Sequence, residues 1–286
     1  MNTTHLSASK WVKITAILLF IVIGSLIMIV FSPWRPLLIS YQDILGRIGL
    51  AVLLGGLLYP FKRIQKLNPL FPIISALFIM IITVSVMYYT ALFWAGKGLS
   101  ATGPRGFALF KLNDMVVAFV VIIGLSRLLG FHPGDLYLQK GKVGLGLLLG
   151  LGTFALAAVT AVPSGIWLFK LDPAGLTGWR QWLPWLLLFV LANGAMEELL
   201  FRGLFLKKFE PLLGEFLSIL TIGVVFTALH FGVSYTSDQF LFMGILIGLA
   251  LLFGTVIQKT KSLWPAILFH AGMDISVMLG IFSNLH

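Results

Sequence analysis

The chain has 286 residues, of which 59% are hydrophobic and only 10% charged. A soluble domain carries about 25% charged residues, so a soluble globular fold is excluded. Lys and Arg number 20 against 10 Asp and Glu, a formal net charge of +10; in so apolar a chain this excess belongs to cytoplasmic loops and not to nucleic-acid binding.

The absence of cysteine removes disulfides, thiolate-bound zinc, iron–sulfur clusters and thiol nucleophiles. A bilayer core requires about 20 apolar residues per helix. Runs of that order, bounded by charge, Pro or Gly, predict helices over 12–31, 44–59, 70–95, 114–129, 143–169, 182–209, 216–231, 240–257 and 263–285. The expected fold class is all-α, a polytopic transmembrane helical bundle of about 8 to 9 spans. The run containing Arg47 is the weakest of them. Lys10 and Lys13 before the first run resemble the start of a signal peptide, but the run is too long and no small-residue cleavage site follows, so it reads as a membrane anchor.

Twelve Lys and Arg fall in one set of alternate loops, from Lys10 to Lys261, and six in the other, from Arg35 to Arg180. That bias predicts an integral membrane protein of the plasma membrane with a cytoplasmic N-terminus. No internal repeat is visible, which weakens an inverted-repeat transporter. Gly146 with Gly150 and Gly244 with Gly248 have the spacing that lets helix backbones approach. Arg47, Asp114 and Arg127 lie near span ends and are expected to snorkel or to sit at the interface.

Residues 1–142 form an N-terminal region without a recognised motif, and 143–286 carry the polar groups that lipid should forbid. An ionisable side chain within a span costs roughly 2.5 to 3.5 kcal/mol to insert, so each is a functional candidate. Glu197, Glu198 and Arg202 lie in Asn193-Gly-Ala-Met-Glu-Glu-Leu-Leu-Phe-Arg202. His230 ends Phe226-Thr-Ala-Leu-His230, and His270 and Asp274 lie in Phe269-His270-Ala-Gly-Met-Asp274. Glu198 and Arg202, one helical turn apart, are expected to form a structural ion pair. Glu197 points about 100° away and has no local cation. Counting about 1.5 Å of rise per residue places Glu197, His230, His270 and Asp274 at overlapping depths, so three helices can bring them into one cavity.

Carboxylates and imidazoles without a nucleophilic Ser or Cys point to activated water. No Gly-x-Ser-x-Gly, His-Glu-x-x-His or Walker A pattern is present. Hydrolysis remains, with Glu197 taking a proton from water and imidazole N–H groups stabilising an oxyanion. Glu197, His230 and His270, with Asp274, are also candidate ligands for a Zn²⁺ that keeps one position open; spacing does not choose between the metal-bound and metal-free forms, and the carboxylate at 274, a ligand where Asn would mainly donate, tips the expectation slightly toward a metal-competent site. The rivals are a catalytically silent scaffold or immunity protein and a proton-relay transporter.

In order along the chain, Glu197-Glu198-x-x-x-Arg202, Phe226-x-x-x-His230 and His270-x-x-x-Asp274 resemble the three-motif signature of the CPBP family. That family comprises type II CAAX prenyl endopeptidases and bacteriocin-processing or self-immunity proteins, also called the Abi family. The resemblance covers about residues 182–280 and implies an intramembrane endopeptidase acting on a peptide or membrane-protein substrate within the lipid bilayer. It further implies that Glu197 activates water, His230 helps hold it, and His270 with the residue at 274 forms the oxyanion site. The last position is often Asn in that family and is Asp274 here. An ionised Asp cannot donate to an oxyanion, so Asp274 must be protonated, accept a bond from His270, or ligate a metal.

Overall fold

The computed structural model describes residues 9–38, 40–177 and 179–285. Their regular structure is entirely helical. The nine long elements are α1 (Lys10–Ile29), α2 (Ser40–Arg63), α3 (Phe71–Gly96), α4 (Pro104–Leu128), α5 (Val143–Leu168), α6 (Trp179–Leu213), α7 (Glu215–Ala228), α8 (Gln239–Thr260) and α9 (Trp264–Phe282). All except α7 are long and apolar enough to cross a membrane, which makes eight candidate spans. The chain is an integral membrane protein.

Helix starts follow local chemistry. The Asp238 carboxylate accepts the Leu241 N–H at the head of α8, while Pro104 and Pro265 occupy first turns, where a missing N–H costs nothing. The predicted run 216–231 shortens to 14 residues in α7, about 21 Å of helix against a core of about 30 Å. Gly214, at φ +79°, turns the chain between α6 and α7.

About two thirds of the most apolar window is buried in α3 and α6 (67% each) and in α9 (61%), against 11% in α2. The centre of the bundle is therefore α3, α6 and α9, and α2 faces lipid. Lipid tails are as apolar as Leu, so close backbone packing and not water exclusion holds such helices together. Gly146 and Gly150 of α5 meet Trp264 and Pro265 of α9, Gly272 of α9 meets the backbone of Phe154, and Gly194 of α6 meets the Ile267 carbonyl. Gly244 and Gly248 face open space, so this second pair is not a packing contact.

Two of the residues expected to snorkel do not. Arg47 is buried, with Nε 2.8 Å from Asp43 Oδ2, Nη2 donating to the Ser32 carbonyl at 3.1 Å and the guanidinium 4.6 Å from the Tyr88 ring centroid. Asp114 is also buried and accepts the Trp34 indole N–H at 2.9 Å. The segment after α1 turns back over the bundle and gives both charges partners. Arg127 is exposed, as interfacial placement requires.

Candidate active site

Leu199–Gly203 is a π-helical segment within α6, starting directly after Glu198. Such a bulge commonly marks a functional site in an α-helix. It does not break the expected pair, for Arg202 Nη1 donates to Glu198 Oε1 at 2.8 Å. Both side chains are almost completely buried, at 1% and 0% exposure. The guanidinium also lies 4.3 Å from the Phe226 ring centroid and 5.4 Å from that of Phe253, so its faces are covered by aromatic π-systems.

Glu198 does more than pair with Arg202. The same Oε1 lies 2.8 Å from His270 Nδ1, across the α6–α9 interface. A carboxylate accepts, so Nδ1 carries the proton and Nε2 is the nitrogen turned to the remaining acidic groups. His270 Nε2 stands 3.6 Å from Glu197 Oε2 and 3.7 Å from Asp274 Oδ1. Asn193 Nδ2 donates to Asp274 Oδ2 at 2.9 Å. The imidazole is stacked on Phe253, with centroids 4.9 Å apart and planes at 10°, and meets Phe226 edge-on at 6.0 Å. Hydrogen bonding at one edge and aromatic contact on one face leave the ring little rotational freedom.

His230 lies just beyond α7, where its Nδ1 contacts the Phe226 carbonyl at 2.8 Å. The carbonyl accepts, so Nδ1 again holds the hydrogen and Nε2 is left free. Glu197, His230, His270, Asp274 and Asn193 all line one cavity of about 830 Å³. The expected juxtaposition from three helical segments is therefore present. Among the described residues no group of three or more His, Asp and Glu side chains is arranged to hold a metal ion.

Glu198, expected only in a structural ion pair, also fixes the orientation of His270 through the same oxygen. Phe253 gave no signal, since an aromatic in an apolar run reads as core. Asn193 was visible only as a neighbour of Glu197 in the motif. The least legible contribution comes from the N-terminal half, because Ser32, Trp34, Arg35 and Lys111 line the same cavity. The Tyr235 phenol, in the loop before α8, lines it too, and burial first, then the nearby Glu197 and Asp274, holds its pKa above the ordinary value.

Residues 179–276 match the family model described as type II CAAX prenyl endopeptidase Rce1-like. That interval contains Asn193, Glu197, Glu198, Arg202, His230, Phe253, His270 and Asp274. No curated protein and no solved structure matches the chain.

Proposed function

We propose that this integral membrane protein, whose residues 179–276 match the model of the Rce1-like type II CAAX prenyl endopeptidases, is an intramembrane endopeptidase of the CPBP family that hydrolyses peptide bonds with Glu197 as the base. The observation that carries the proposal is the His270 imidazole, fixed at Nδ1 by Glu198 and turned at Nε2 toward Glu197 and Asp274 within a cavity.

A water bound to Glu197 at the cavity wall loses a proton to the carboxylate as its oxygen bonds to the substrate carbonyl carbon. The carbonyl π-bond becomes an oxyanion, which is stabilised by an N–H directed from His270 Nε2 in an imidazolium that carries a proton on both nitrogens, the Nδ1–H donating to Glu198. His230 Nε2 accepts the water's second hydrogen and so orients the nucleophile. Collapse of the tetrahedral intermediate breaks the C–N bond, and the proton held by Glu197 goes to the leaving amine. The products are one carboxylate and one amine, with no covalent enzyme intermediate.

Asp274 acts as an acceptor. Asn193 donates to one of its oxygens, and the other faces His270 at 3.7 Å, where it orients the ring and balances charge. Arg202 offsets one of three clustered carboxylates, without which Glu198 would be an uncompensated buried charge.

The experiment is a comparison of membrane peptidomes from cells producing the native protein and the Glu197→Gln variant at equal abundance. The native protein is expected to yield cleavage products that the variant does not. Indistinguishable peptidomes, with both proteins folded in the membrane, would remove the endopeptidase reading.

A further inference from the structure

The rim of the cavity is drawn from Trp34 and Arg35 after α1, Trp167 and Phe169 at the end of α5, the 229–235 segment, and Ile281 at the end of α9. These segments share one face of the bundle. The Ser237 N–H donates to the Leu168 carbonyl at 2.9 Å, Lys170 Nζ to the Ser234 carbonyl at 3.0 Å, and the Asp172 N–H to Ser283 Oγ at 3.2 Å. Although α7 is too short to span, it and the segment after it thus climb back to the face on which α5 and α9 end.

A different set of bonds joins the opposite face. There the Lys142 N–H donates to the Thr260 carbonyl at 2.7 Å, the Leu263 N–H to the Tyr137 carbonyl at 3.0 Å, and Lys207 Nζ to the Gly134 carbonyl at 2.9 Å. Among the described residues, none of 59–71, 127–143, 202–216 or 254–269, which make up this face, lines the cavity. Phe201, Phe226 and Phe253 form its floor. From Glu197 to Lys207 is about 15 Å of helix, and the space around that stretch is filled. Arg202, Phe205, Leu206 and Phe209 of α6, Ile257 of α8 and Ala266 of α9 are at most 1% exposed. The cavity is a pit, open at one face and sealed from the other by a packed layer.

Charge gives the two faces a direction. The sealed face collects the twelve Lys and Arg that run from Lys10 to Lys261, and the open face the six from Arg35 to Arg180. Loops rich in Lys and Arg stay in the cytoplasm. We propose that the cavity opens on the non-cytoplasmic side of the membrane, and that its substrate is a hydrophobic peptide, or a segment of a membrane protein, that has already crossed the bilayer. This deepens the endopeptidase reading and rests on it. Trp34 and Trp167 are both exposed at the mouth, the position tryptophans favour at a membrane interface. Leu246, Leu249 and Val277 give the wall below them an apolar lining. A substrate confined to the cytoplasm meets only the packed layer between Arg202 and Phe209 and is not cut.

The chain has no cysteine, so a single introduced thiol reports access without interference. Met273→Cys places it in the cavity wall beside Asp274, and Ser164→Cys, on the α5 side of the same wall, serves if the first variant does not fold. A positively charged, membrane-impermeant thiosulfonate is added to sealed vesicles, right-side-out or inverted, from cells producing the full-length protein. Modification of the cavity thiol is expected to be at least about 100-fold faster in right-side-out vesicles, the scale of moving one charge into hydrocarbon. Lys66→Cys, on the sealed face, should react in inverted vesicles alone. Cavity modification that is equally fast from both sides, faster from the cytoplasmic side, or absent from both overturns the proposal. Cleavage by the native protein of a fluorogenic hydrophobic peptide with an impermeant charged tail separates the two claims, and is expected in right-side-out vesicles alone. Outward labelling with no cutting of any peptide in either orientation would keep the opening and remove the endopeptidase. Cutting in inverted vesicles would keep the endopeptidase and overturn the outward opening.

Discussion

Gly194 stands at a close approach of α6 to α9 beside the site, and its replacement tests whether helix spacing sets the catalytic geometry. A Cβ at this position would lie 3.0 Å from the Ile267 carbonyl oxygen and 3.1 Å from the Ala271 nitrogen. Both are backbone atoms of α9 on either side of His270, so neither can turn away. Restoring ordinary contact distances moves the helices apart by a few tenths of an ångström. That movement stretches the 2.8 Å bond between His270 Nδ1 and Glu198 and widens the 3.6 Å gap to Glu197. Overpacking of this kind costs about 1 to 3 kcal/mol. A displacement of about 1 Å at a reacting group can cost about 100-fold in rate, so a smaller one is expected to cost about tenfold. Gly248→Ala is the control, because nothing lies within 4 Å of a Cβ there. Thermal unfolding and initial rates of peptide cleavage, measured on both variants in the same vesicles, check the reasoning. Gly194→Ala should fall in both, and Gly248→Ala in neither. Native rate and native melting temperature in Gly194→Ala would refute the argument that this contact fixes the site.

Other outcomes follow from the same geometry. Arg202→Met should lower the melting temperature markedly, since breaking a buried pair costs about 3 to 5 kcal/mol, and Glu198→Gln should lower activity further than its own thermal loss explains because it weakens the hold on His270; unchanged melting in Arg202→Met would refute the charge-balance role. Phe253→Leu removes the stacked face of His270 and should reduce turnover with little change in substrate binding, which separate kcat and KM measurements will show. Tyr137 donates to Glu210, and burial, then that bond, raises its phenol pKa above the ordinary value of about 10. Its stabilising contribution is therefore complete below that pH and is lost as pH rises beyond it, so the melting-temperature gap between native protein and Tyr137→Phe should be constant up to about pH 9 and narrow above pH 10. With Glu197 as base, activity should survive exhaustive chelation verified by elemental analysis, whereas loss of activity restored by Zn²⁺ would assign Glu197, His230 and His270 to a metal instead.

The helical bundle was legible because the bilayer allows few alternatives: long apolar runs must satisfy their backbone within a helix. The helix after Gly214 ends at Ala228, short of the apolar run that continues to Phe231, since an apolar run does not report where a helix stops. His230 lies beyond the C-terminus of α7 for that reason. The site was legible where an unusual residue type appeared in an apolar run, as with Glu197, His230, His270 and Asp274. Contributions made by ordinary residues were not. Phe253 acts through contact geometry, Glu198 through a bond to a residue 72 positions away, and Trp34 and Lys111 through a fold-back of the N-terminal half over the cavity. Arg47 and Asp114 show the converse limit, for a charge near a span end looks interfacial until its partner from another segment is known.

The most direct test of the central claim is single-turnover cleavage of a hydrophobic peptide by purified native protein and by Glu197→Gln, in water enriched in ¹⁸O. The account predicts one ¹⁸O in the newly formed carboxylate, no trapped covalent adduct, and a rate about 10² to 10⁴ lower for the folded Gln variant. A Glu197→Gln protein that cleaves at the native rate would contradict it.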